Sequence, residues 1–83
     1  MKRVPVVEIL WLDAEDMEPG WGYFESMDIE LTATYGLLVG QDEHWLYHAS
    51  TFNPDSGEWA GRGKIPMGMV HSILELGECY YET

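Results

Sequence analysis

The chain has 83 residues, 46% of them apolar, with a single cysteine and a formal net charge of −11 at pH 7. That length holds one domain and one core, and Cys79 alone excludes an internal disulfide. Fifteen acids against four basic residues argue against a direct nucleic-acid partner, whose phosphates are normally neutralised by Lys and Arg.

A domain this small buries only about 60–65% of its unfolded surface. Without disulfide or metal, association is the usual source of further stability. Four Trp, five Tyr, two Phe and five Met exceed what one small barrel interior holds, so a homo-oligomer is expected. After Met1-Lys2-Arg3 the apolar run is broken by Glu8 and Asp13, which is not a signal-peptide pattern. No run nears the roughly 18 apolar residues of a bilayer span. The expectation is a cytoplasmic protein with no membrane partner.

In chain order, Val4–Leu12 is rich in β-formers and reads as a strand with Pro5 at its start or edge. Asp13 to Asp28 is punctuated by Pro19, Gly20 and Gly22 and keeps no helical period. It reads as a long acidic loop with one helical turn at Tyr23–Met27; loops of that length in compact domains tend to be functional or disordered, and Trp21, Tyr23 and Phe24 argue against disorder. Ile29–Gly40 alternates, with Ile29, Leu31, Ala33, Tyr35, Leu37 and Val39 on one face and Glu30, Thr32 and Thr34 on the other. Gly36 suggests a bend or bulge.

Residues 40–43 form a hairpin turn, and Trp45–Phe52 is the third strand. Asn53-Pro54-Asp55-Ser56-Gly57 is a turn, with Pro set for a type I start and Gly for positive φ. Glu58–Ile65 is the fourth strand, Pro66–Met69 a single 3₁₀-like turn, and Val70–Leu76 the fifth strand. The domain is thus 1–76, a small all-β five-stranded barrel, followed by a tail 77–83 that frays or docks on a neighbour through Tyr80 and Tyr81.

Two resemblances follow from these residues. Trp45 opening the third strand, Gly57, and Ile65-Pro66 before a turn and a last strand resemble the Src-homology-three-like (Sm-like) barrels. The acidic loop after the first strand sits where that family has its acidic specificity loop. Trp45 and Pro66 match two groove positions of the family's proline-rich peptide site, but Met69 replaces the expected Tyr, so the resemblance implies the fold rather than that ligand.

Across most of the chain, Val7-Glu8-Ile9-Leu10-Trp11-Leu12-Asp13, Gly20-Trp21, Gly36-Leu37-Leu38-Val39, Ala49-Ser50-Thr51 and residues 65–73 resemble small-barrel proteins of bacteriophages and prophages. That likeness implies a bacterial host cytoplasm and self-association, and it brings no activity with it.

Enzyme signatures fail on inspection. Gly61-Arg62-Gly63-Lys64 lacks the first Gly and the final Ser or Thr of a phosphate loop. No Gly-x-Ser-x-Gly elbow is present. His44 and His48, four apart on a strand, would stand about 13 Å apart, too far to share a metal. Asp13, Glu15, Asp16 and Glu18 lack a calcium-loop frame. No catalytic residue, metal or cofactor is expected.

The acidic loop, with Trp21, Tyr23 and Phe24 beside Asp13, Glu15, Asp16 and Glu18, is the candidate surface for capturing a host protein. Arg62 and Lys64, two apart on one strand face, form an alternative anion or nucleotide site, with Trp21 or Tyr23 stacking on a base in an oligomer. Their plainer role is to pair with Glu58, Glu30 or Glu75. Three functions remain open: anti-defence or inhibitory capture of a host factor, sequestration of a small cyclic nucleotide signal between subunits, and assembly into a virion.

Overall fold

The computed structural model describes residues 1–14 and 29–82, and the side chains of Ala14, Ile29 and Glu30 lie outside that description. Seven strands form: β1 (Lys2–Ala14), β2 (Ile29–Gln41), β3 (Trp45–Ala49), β4 (Thr51–Asn53), β5 (Glu58–Ala60), β6 (Gly63–Pro66) and β7 (Val70–Tyr81). A 3₁₀ turn at Met67–Met69 separates β6 from β7. The expected all-β chain, with a five-stranded antiparallel sheet and a 3₁₀ turn before the last strand, is observed.

The sheet order is β6-β3-β2-β1-β7, and β4 pairs with β5 in a separate hairpin. The end strands β6 and β7 are joined by the 3₁₀ turn but not paired to each other among the described residues.

The third and fourth strands of the sequence reading are each broken, at Ser50 and at Gly61-Arg62. The break is sterically paired. Gly61 takes φ 63°, and a Cβ there would lie 2.0 Å from the Ser50 hydroxyl oxygen. The Ser50 amide donates to the Ala60 carbonyl at 3.1 Å, so the ribbon kinks without leaving that donor unpaired. Beyond the kink, the Asn53 side-chain oxygen accepts from the Asp55 and Ser56 amides at 2.9 and 3.3 Å. Gly57, at φ 77°, closes the turn as expected.

Alternation along β1 builds the core. Val7 and Ile9 are buried with Leu46 of β3 and Ile65 of β6, and Trp11, Leu38, Met67 and Val70 pack around them. Register then decides which face of β2 turns inward. Ile9 pairs with Thr34 and Trp11 with Thr32, and directly paired residues share a face. The Trp11 indole N–H donates to the Thr34 hydroxyl at 2.9 Å.

The face of β2 that reads as apolar therefore points outward along half its length: Leu31 is 57% and Tyr35 63% exposed. The alternation of β2 by itself does not say which face is inside; the apolar phase of β1 decides it in the shared sheet. Gly36 is required by proximity rather than by a bend. A Cβ there would meet the Ala49 carbonyl oxygen at 2.9 Å, while the register shift of β2 falls between Leu38 and Gly40.

β7 runs to Tyr81, so residues 77–81 are strand and not a tail: Val4 pairs with Cys79 and Lys2 with Tyr81. The Tyr81 ring lies 5.3 Å from Phe52, which stacks 4.5 Å from Trp59, and the Lys2 ammonium sits 5.9 and 5.6 Å from the Phe52 and Trp59 centroids. The β4–β5 hairpin is thereby tied to the far end of β1 and β7, within the chain rather than on a neighbour.

The described molecule is long and thin, 55 × 22 × 20 Å. Its radius of gyration is 16.0 Å, against about 12 Å for a compact chain of this length.

So small a core is sensitive to a cavity. Ile9→Ala, at a fully buried site, is expected to cost about 2–5 kcal/mol and to leave little of the native baseline in a urea titration followed by tryptophan fluorescence.

Candidate functional site

Of the acidic and aromatic loop residues singled out from the sequence, only Asp13 falls among the described residues. It closes β1 opposite Glu30. Trp21, Tyr23, Phe24, Glu15, Asp16 and Glu18 lie outside them, as does the helical turn at Tyr23–Met27. The structure brings out two other surfaces.

The first is β7. It is an edge strand bonded on one side to β1, and ten of its twelve residues are exposed. Ile73, Leu74, Leu76 and Tyr80 are among them, with Leu74 at 55% and Leu76 at 54%. The register with β1 skips His71 and Leu76, which are the extra residues of two bulges.

The same outer face continues across the sheet. Leu12 pairs with Leu31, Leu10 with Ala33, and Glu8 with both Tyr35 and Leu74. The Glu8 carboxylate accepts from the Tyr35 hydroxyl at 2.7 Å, which raises the Tyr35 phenol pKa. The two acids of β7 are answered by one cation. Arg3 on β1 bonds to both Glu75 and Glu78, and with help from Tyr80 it holds the Glu78 carboxyl below its ordinary range. This edge is thus apolar, with Arg3 offsetting one of the two charges that Glu75 and Glu78 bring to it.

The second surface lies on the opposite end strand. Tyr47 pairs with Lys64 and Trp45 with Pro66, which puts Trp45, Tyr47 and Lys64 on one face. The Lys64 ammonium sits 4.2 Å above the Trp45 ring. Tyr47, Arg62, Gly63 and Lys64 line an open depression of about 380 Å³. Arg62 and Lys64 line the same depression, though not on one strand face: the expected fourth strand is broken at Gly61-Arg62, and only Lys64 lies on β6. The anticipated pairing with Glu58 or Glu75 is absent, since neither cation forms an ion pair among the described residues and Glu75 is held by Arg3. Tyr47 carried no sequence signal, because its place opposite Lys64 depends on the register of β3 and β6.

At the rim of that depression, Asp42 organises the turn into β3. Its carboxylate accepts from the His44 and Trp45 amides at 2.8 and 2.7 Å and from the Tyr47 hydroxyl at 3.3 Å. The two amides hold the Asp42 carboxyl below its ordinary value. Burial and the Asp42 charge push the Tyr47 phenol up, so it stays a neutral donor at pH 7. His44 is exposed beside Glu43 at 3.2 Å, while the His48 ring fills the space a Cβ on Gly63 would need, 2.6 Å away. Among the described residues no three of His, Cys, Asp and Glu cluster as metal ligands would, and no helix is long and apolar enough to cross a membrane.

No family model matches this chain, and no curated protein or solved structure matches it at a significant level.

The depressed Asp42 and Glu78 values set an acid dependence. A carboxyl with a lower pKa folded than unfolded stabilises fully above its unfolded value, about pH 4, and that stability is lost as pH falls through the folded value. Asp42→Asn keeps the acceptor for the turn amides and removes the titration. Its thermal midpoint is expected to fall less than that of the unmodified chain when pH drops from 5 to about 2; equal falls would show that the turn carboxylate does not contribute.

Proposed function

We propose that this chain is a non-enzymatic binding protein of the phage or prophage type, one that captures a host factor stoichiometrically in the bacterial cytoplasm and assembles as a homo-oligomer. The observation that carries the reading is β7. A twelve-residue edge strand with exposed Leu74, Leu76 and Tyr80 is a template for strand addition by another chain. The adjoining Leu12, Leu31 and Tyr35 would extend the contact across the sheet.

Proteins that keep such edges solitary shorten them or charge them. Here the bulges at His71 and Leu76 interrupt the ladder, but Arg3 offsets one of the two negative charges of Glu75 and Glu78. We read the sheet, with Ile65-Pro66 entering the 3₁₀ turn and last strand, as a Src-homology-three-like barrel adapted for recognition.

Charge supports the choice of partner. A protein at −11 is steered toward basic surfaces and away from nucleic acid.

Affinity capture from bacterial lysate at moderate salt tests the proposal. The unmodified chain is expected to retain one protein in near-stoichiometric amount, and a Leu74→Lys/Leu76→Lys double variant with an unchanged circular dichroism spectrum to retain at least tenfold less. Retention of nothing specific, or equal retention by the variant, would refute capture through β7.

A further inference from the structure

The structure assigns a second binding site, separate from β7, to the depression formed by Tyr47, Arg62, Gly63 and Lys64: we infer that it takes a small nucleoside monophosphate, phosphate on Arg62 and Lys64 and base on the Tyr47 ring. The inference starts from the four cations of the chain. Lys2 lies over Phe52 and Trp59, Arg3 is held by Glu75 and Glu78, and Lys64 lies over Trp45. Arg62 alone makes no ion pair, side-chain hydrogen bond or aromatic contact among the described residues. In a chain with fifteen acids, an arginine paired with none of the described carboxylates is a donor fork without a partner among the described residues.

Local geometry fixes where that fork can go. A Cβ on Gly61 would stand 2.0 Å from the Ser50 hydroxyl oxygen, and one on Gly63 would stand 2.6 Å from the His48 ring. One side of the Gly61-Arg62-Gly63 segment is therefore filled by neighbouring side chains, and Arg62 lines the other side with Tyr47 and Lys64. Guanidinium groups take phosphate oxygens two at a time, and a lysine beside one adds a point charge.

The depression, about 380 Å³, is at the small end of ligand sites, which run from about 300 to 1,000 Å³. That room suits a mononucleotide better than a polymer, and the net charge disfavours a long polyanion. Tyr47 supplies a ring for stacking. Its hydroxyl, bound to Asp42 at 3.3 Å, marks the acidic end of the site, where a base rather than a phosphate fits. The Lys64 ammonium can meet a phosphate oxygen while it remains above Trp45, since a cation–π contact leaves its N–H donors available.

Titration calorimetry with adenosine monophosphate, adenosine and inorganic phosphate tests the site on the full chain. Adenosine monophosphate is expected to saturate at one per chain, with adenosine at least tenfold weaker. Arg62→Gln should weaken the nucleotide about tenfold or more. Tyr47→Ala should weaken it about tenfold while leaving inorganic phosphate unchanged. Absence of saturable nucleotide binding, or an Arg62→Gln variant that binds as well as the unmodified chain, would overturn the site. Equal affinity for phosphate and nucleotide would overturn the role of Tyr47. Neither result bears on capture through β7, which uses other residues.

Discussion

The structure depends on β1. It is paired along its length with β2 on one side and β7 on the other, and its Val7 and Ile9 supply half of the contiguous buried cluster. Leu46 and Ile65, from the far strands β3 and β6, complete it. Because one strand sets both the core and the registers of its neighbours, the phase of β1 decides what every adjacent side chain faces. It directs Thr32 and Thr34 inward and leaves Leu31, Tyr35 and Leu74 on the outer surface. The exposed apolar face follows from the way the core was made.

That arrangement explains a chain that is rich in apolar residues but poor in buried ones. Among the described residues, only Val4, Val7, Ile9, Leu46, Ala49 and Ile65 are fully buried. Much of the remaining apolar surface lies along an elongated sheet, where it adds little to the stability of a single copy. Charge is arranged in a complementary way. The two acids of β7 share the one cation Arg3 of β1, and at the other end of the sheet β6 carries Lys64, with Arg62 in the break just before it. The two ends of the sheet thus differ in kind: one apolar with a residual negative charge, the other cationic and aromatic. Recognition of a protein at the first and of a small phosphorylated molecule at the second are compatible roles.

Much of the fold was legible in the sequence because it rests on local signals. The turn at Asn53–Gly57, the Ile65-Pro66 entry to the 3₁₀ turn and the positions of the long strands all come from short-range chemistry. What could not be read is what depends on pairing between distant segments. The stripe of Ile29, Leu31, Ala33, Tyr35, Leu37 and Val39 has good alternation, yet only the partner strand fixes which face is inside. The breaks at Ser50 and Gly61 go with a close approach of two segments that leaves no room for a Cβ at Gly61 beside the Ser50 hydroxyl. The strand character of residues 77–81 depends on pairing with Lys2 to Val6, more than seventy residues away. The cationic pair was visible as Arg62 and Lys64, whereas Tyr47 joins them only through the β3–β6 register.

The central claim is that β7 is an open, adhesive edge and not the finished border of a monomer. The mass of the assembly in native mass spectrometry tests this most directly. The account predicts that the chain recovered from bacterial lysate carries a further mass equal to one captured protein, and that lysines at Leu74 and Leu76 on this edge remove it. Recovery of the unmodified chain with no bound protein, or of the variant with the same added mass, would contradict it.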